Sequence, residues 1–112
     1  MHTAARTIAS LNDAFRRTLG IGGPPGQVFL TSGVAALPES TLSTILHAVS
    51  TFNAFTHDND PHQEHDFGRI VTADRTAVFF KFDYFADQSL TTGAENGSAC
   101  YRVLTIMLTE EY

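Results

Sequence analysis

The chain has 112 residues, enough for one compact domain spanning 1–112 and too few for two substantial ones. Hydrophobic residues make up 43%, with nine Phe and three Tyr, which excludes a disordered polypeptide. Twelve Asp plus Glu against seven Lys plus Arg leave a formal charge of -5, a balance that disfavours direct nucleic-acid binding and anionic membranes and favours a protein partner with a basic surface.

From Thr3 to Leu19, apolar residues recur at Ala5, Ile8, Leu11, Phe15 and Leu19, a spacing that predicts a helix of about four turns. Arg6, Asp13, Arg16 and Arg17 are expected on its wetter side, where the arginines make only a small basic patch. Gly20 suits the left-handed residue that closes a helix, with Ile21 folding back on the last turn. The "GIGGPPG" stretch, Gly20 to Gly26, lies after a helix and before a strand and lacks a lysine, the reverse of a phosphate-binding loop. "QVFLTSGV", Gln27 to Val34, reads as a short strand with a turn near Ser32-Gly33. Pro38 and Glu39 then open a second helix whose apolar stripe is Leu42, Ile45, Leu46, Val49, Phe52 and Phe55.

Beyond residue 66 the period changes to two. "DFGRIVTA" and "TAVFFKFDYF" predict a hairpin through Asp74-Arg75, and "YRVLTIMLT" predicts a last long strand. Ile70, Val78, Phe80, Phe82, Leu104, Ile106 and Leu108 are compatible with one face packed under both helices. Phe29, Val71, Phe79, Phe85, Val103 and Met107 fall on the other face, as a homodimer or partner surface or as a side covered by the long loop or chain ends. That loop, Ala86 to Ala99, is polar, and its Asn96-Gly97-Ser98 reads as a turn. The predicted fold is α+β: a mostly antiparallel four-stranded sheet with two helices on one face, in the order helix-strand-helix-strand-strand-strand.

No apolar run approaches the roughly 20 residues of a membrane-spanning helix. The single cysteine, Cys100, has no partner for an internal disulfide, and no leader-like segment stands at the N-terminus, so the expected compartment is the cytoplasm. Cys100 opens an apolar strand and reads as a small buried hydrophobe.

The chemically dense stretch is "THDNDPHQEHDFG", Thr56 to Gly68, with three histidines and four acidic residues. The spacing of His57, His62 and His65 is not that of a zincin helix, and Pro61 argues against one continuous helix. Asp58 and Asp60 lack the glycine turn and distant glutamate of a calcium loop. Asp58, Asn59 and Asp60 instead suit an Asx turn, in which short side chains bond nearby backbone amides. For acid-base chemistry the residues to test are His65 and Asp66, helped by Glu64, because an imidazole steadied by a carboxylate exchanges protons near neutrality. Asp83 can project toward that region or face solvent beside Lys81.

"LNDAFRR", "GVAALPE", "FNAFTHDNDPHQEHDFG", "FKFDYF" and "RVLTIMLTEEY" together resemble a family of small bacterial proteins of unknown function, found largely in alphaproteobacteria and often on plasmids. The resemblance places the matching core at Asp58 to Pro61 and Glu64 to Gly68, and implies an accessory or host-defence-modulating role on mobile elements. It implies no catalytic residue.

The favoured expectation is a non-enzymatic, acidic, cytoplasmic interaction module, a homodimer or a binder of a basic protein surface. Its contacts would be Asp58, Asp60, Glu64 and Asp66 with Phe29, Phe79, Val103 and Met107. The alternative is a small enzyme with His65, Asp66 and Glu64 as catalytic groups, or a divalent metal on His57, His62 and His65. No organic cofactor is expected.

Overall fold

A computed structural model describes residues 3–95 and 99–112. The Asn96-Gly97-Ser98 turn lies outside these residues. The elements are α1 (Thr3–Thr18), β1 (Gly26–Leu30), α2 (Ser32–Ala35), α3 (Glu39–Thr51), β2 (Phe67–Val71), β3 (Ala77–Phe85) and β4 (Tyr101–Leu108), followed by a 3-10 turn at Thr109–Glu111.

The strands form one sheet in the order β1-β4-β3-β2. Hairpin connection makes β2 and β3 antiparallel through the predicted Asp74-Arg75 turn, and β3 and β4 are antiparallel across the polar loop. β1 lies parallel to β4, so the α+β sheet is mixed. A parallel pair needs a long crossover, and the intervening α2, α3, β2 and β3 supply it.

Two local expectations are corrected. The strand expected over Gln27 to Val34 ends at Leu30, and the chain turns helically over Ser32–Ala35. Val34 is fully buried there, so the helical turn delivers to the core a residue whose even parity also suited a strand. Gly20 does adopt the left-handed conformation, φ 85, and its N–H bonds to the Phe15 carbonyl at 3.0 Å. Ile21 does not fold back on α1 and is 81% exposed.

The core joins Phe15 of α1, Val34 of α2, and Ile45 and Val49 of α3 to Ile70, Val78, Phe80, Phe82, Leu104 and Ile106 of the strands. Phe15 meets Phe82 edge-to-face at 5.9 Å, and Phe52, just past α3, meets Phe80 at 5.2 Å. Gly68 makes room for this packing, since a Cβ at that position would lie 2.3 Å from the Phe80 ring.

Strand alternation turns Phe29, Phe67, Val71, Phe79, Val103 and Met107 to the outer face, away from this core. Lys81 and Asp83 share that face and pair at 2.7 Å, which places Asp83 beside Lys81. Glu111 accepts hydrogen bonds from the Thr31 hydroxyl and from the Leu108 and Gly33 backbone N–H groups, which hold its carboxyl below the ordinary range. The latch sets the chain past β4 so that Tyr112 stands over Phe79 and Phe67, at 5.3 and 6.0 Å.

Candidate functional site

The site begins with two polar residues inside an apolar stripe. Ile8, Asn12, Phe15, Arg16 and Leu19 fall at i, i+4, i+7, i+8 and i+11, so helical geometry carries Asn12 and Arg16 inward with the hydrophobes. Asn12 is fully buried and Arg16 is 2% exposed, which corrects the expectation of a wet Arg16.

Burial of a guanidinium costs least where its donors are met, and here both terminal nitrogens find acceptors while Nε has none among the described residues. Arg16 Nη1 donates to the Val49 and Phe52 carbonyls, both at 2.9 Å, at the C-terminal end of α3. Those carbonyls have no successor in the helix, and α3 carries no basic residue in its own last turn. Arg16 therefore caps α3 from α1. Its Nη2 donates to Asp13 Oδ1 at 2.6 Å, and the guanidinium lies 5.3 Å from the centres of the Phe55 and Phe80 rings. Burial lowers the Arg16 pKa, and the Asp13 hydrogen bond opposes that shift.

Held by Arg16, Asp13 meets His65 Nδ1 with both carboxylate oxygens at 3.0 Å. The imidazole stacks on Phe55, with ring centres 4.0 Å apart and planes within 3°. Its Nε2 points toward Asp60 Oδ2 at 3.7 Å, while Asp60 Oδ1 accepts the His65 backbone N–H at 3.2 Å. Gln63 and His65 take the left-handed conformation, φ 58 and 55, a strained choice for side-chain-bearing residues that the surrounding contacts hold in place.

In the first half of the loop the expected Asx turn is replaced by a reciprocal pair, in which the Thr56 hydroxyl accepts the Asn59 N–H and the Asn59 side chain reaches back. Its Oδ1 accepts the Thr56 N–H at 2.7 Å and its Nδ2 donates to the Ala54 carbonyl at 2.9 Å. Next to this arrangement, Asn12 donates to the Glu64 carbonyl at 3.0 Å and the Tyr84 hydroxyl at 2.9 Å, and accepts from Arg102 Nη1. Adjacent α1 residues thus hold adjacent loop residues: Asn12 holds Glu64 and Asp13 holds His65.

Between α1 and the loop lies a cleft of about 560 Å³ whose walls include Arg6, Ser10, Asp13, His57, Asp60 and His65. A second, of about 550 Å³, shares Asp13, Phe55 and His65 and opens toward Arg17 and Asn53. The Phe55–His65 stack stands between the two.

Of the proposed catalytic set, only His65 occupies this position, and its carboxylate partner is Asp13, 52 residues earlier, which the local reading of the loop missed. The missed signal was the stripe spacing, which buries Arg16 and sets Asp13 beside it. Asp66 instead uses its backbone carbonyl to accept the Phe82 N–H, and burial raises its side-chain pKa, with Asp60 and Asp83 adding to the rise. Burial likewise raises Glu64, with Asp66 adding to it. Burial also raises the Tyr84 phenol and the Cys100 thiol, the latter a half-buried group within 3.4 Å of Arg102 Nη2.

Of the proposed metal ligands, His57 and His65 line the first cleft and His62 is exposed on the loop. Among the described residues no group of three or more His, Cys, Asp or Glu gathers as a metal centre. Of the proposed contact residues, Asp58 and Phe29 are exposed, and Glu64, Asp66 and Phe79 are half-buried. Asp60, Val103 and Met107 are buried, at 4%, 7% and 4% exposure.

The raised Asp66 has a testable sign. A carboxyl with a folded pKa above its unfolded value contributes stability in acid, and that contribution is lost as pH rises through the folded value. Asp66→Asn is therefore expected to raise the melting temperature at neutral pH and to leave it nearly unchanged in acid below the ordinary carboxylate range. Thermal unfolding at both pH values checks this; an equal shift at the two would refute the burial account.

A family model described as protein of unknown function (DUF3768) matches residues 30–111. The matched segment contains the histidine loop and stops short of α1, which supplies Asn12, Asp13 and Arg16. No curated protein and no solved structure matches the chain.

Proposed function

The chain belongs to the family described as protein of unknown function (DUF3768), and on that premise we propose a protein-interaction module that works through the outer face of its sheet. One observation carries this reading. Among the described residues four large hydrophobics are exposed, Ile21, Phe29, Val71 and Tyr112, and three of the four belong to that face. We read the helices as covering the opposite side, while the outer face, buried in its middle at Val103 and Met107, keeps apolar area in water at Phe29, Val71 and Tyr112 that association would remove, at about 25 cal/mol per Å². Asp58, exposed on the loop, offers a secondary contact to a basic partner. Within this reading the setting is cytoplasmic, as an accessory or host-defence-modulating protein of mobile elements.

A photo-activatable amino acid at position 29, in cells producing the chain, is expected to give a discrete protein adduct, whereas the same group at position 21 gives none. Equal background at both positions would remove the reading.

The Asp13–His65 pair in a cleft favours a second reading, a His-Asp acid-base enzyme or, with His57 recruited, a metal-dependent one. It ranks second because both ring nitrogens are already directed at carboxylates, Asp13 on one side and Asp60 on the other.

A further inference from the structure

We propose that the occupant of the outer sheet face is a second copy of this chain, packed face to face about a two-fold axis running along the strands. The inference rests on the reading of that face as an interaction surface and names its partner.

Charge is the first argument. The chain carries 12 acidic residues against seven basic, yet the strands turn a single acid, Asp83, to the outer face. Lys81 neutralises it at 2.7 Å, and Arg69 adds a positive group at the edge. This is the part of an acidic protein that meets its own copy without carboxylate facing carboxylate. A strongly basic partner finds no unpaired acid there to hold it.

Relief agrees with this arrangement. Four strands about 4.8 Å apart, two of five residues, one of eight and one of nine, give a flat footprint of roughly 440 Å². With Val103 and Met107 in its middle already buried, that is the size of a weak, concentration-dependent dimer, below the roughly 800 Å² per partner of a standard interface. Tyr112 stands on the β2–β3 half of the face, over Phe67 and Phe79, while Phe29 projects from β1 at the opposite edge. A two-fold along the strands lays the β2–β3 half of one copy over the β4–β1 half of the other. Each Tyr112 then sits on the lower half of its neighbour, near Phe29, so the relief of the face is complementary to itself. Sheets stacked this way pack with strands nearly aligned, as in a sandwich.

Sedimentation velocity and native mass spectrometry over a micromolar concentration series test the proposal. The wild-type chain is expected to be dimeric. Phe29→Lys and Val71→Lys, both at exposed positions, should each raise the dissociation constant at least about tenfold, the scale of a hot-spot contact. Ile21→Lys, exposed but off the face, should leave it unchanged. A wild-type chain that stays monomeric throughout overturns the proposal, whatever the variants do, as does a dimer that Phe29→Lys and Val71→Lys leave intact. The position-29 adduct separates the two levels of the reading. A mass of twice the chain supports the second copy, a different discrete mass overturns it while the interaction reading stands, and no adduct removes both.

Discussion

Arg16→Leu is expected to destabilise the chain by about 3–5 kcal/mol, the usual cost of removing one member of a buried, hydrogen-bonded charge pair. The side chain serves three partners at once: the Val49 and Phe52 carbonyls that end α3, and the Asp13 carboxylate. Leucine preserves apolar volume against Phe55 and Phe80, so the deficit falls on unmet acceptors. Arg16→Lys keeps the charge but not the planar fork, and should recover less than half of the loss. The loop should respond as well. Without Arg16 the Asp13 carboxylate is left with His65 as its partner, and amide exchange at residues 53–66 should accelerate along with that at the end of α3. Urea unfolding gives the energy, with exposed Arg17→Leu as the comparison. A loss no larger than that of Arg17→Leu, which should stay within about 0.5 kcal/mol, would mean that Arg16 is not the joint described here.

Asn12→Leu carries the second largest expected effect, about 3 kcal/mol, because one substitution takes an acceptor from a buried arginine and a donor from a half-buried carbonyl. The affected groups are Arg102 Nη1, the Glu64 carbonyl and the Tyr84 hydroxyl. Asn12→Asp should cost less, since it retains the acceptor for Arg102, while still losing both donated bonds. Equal stability of the Leu and Asp variants would show that the Arg102 bond contributes little. Both variants release Glu64 from α1, so loop exchange should rise in each even where global stability differs.

The strands were readable because apolar residues recur every two positions: the six core positions from Ile70 to Ile106 stand where alternation puts them, although in central β4 the opposite-face Val103 and Met107 are buried as well. β1 was harder, since Val34 reaches the core by a helical turn as readily as by a strand of the same parity. Pairing direction was not legible, because a five-residue strand of mixed burial fits either a parallel or an antiparallel neighbour. In the site, His65 stood out through its own chemistry, whereas Asp13 did not. Its importance depends on Arg16 being inside, and treating arginine as a surface residue by type overrides the spacing that buries it. Asn12 hid for the same reason. Where polar residues interrupt an apolar stripe, position was the better guide than polarity.

The central position of β4 bears on how the chain is made. β4 pairs with β1 on one side and β3 on the other, and it follows both of them, and β2, in the chain. Until residue 108 has been added, β1 has no strand beside it and the outer face lacks Val103 and Met107 at its middle. The growing polypeptide must therefore hold α1, β1 and a completed β2–β3 hairpin in waiting, with their apolar surface open to other nascent chains. Closure links segments about 75 residues apart, such as Val28 and Leu104, so the sheet cannot be completed before β4 has been made.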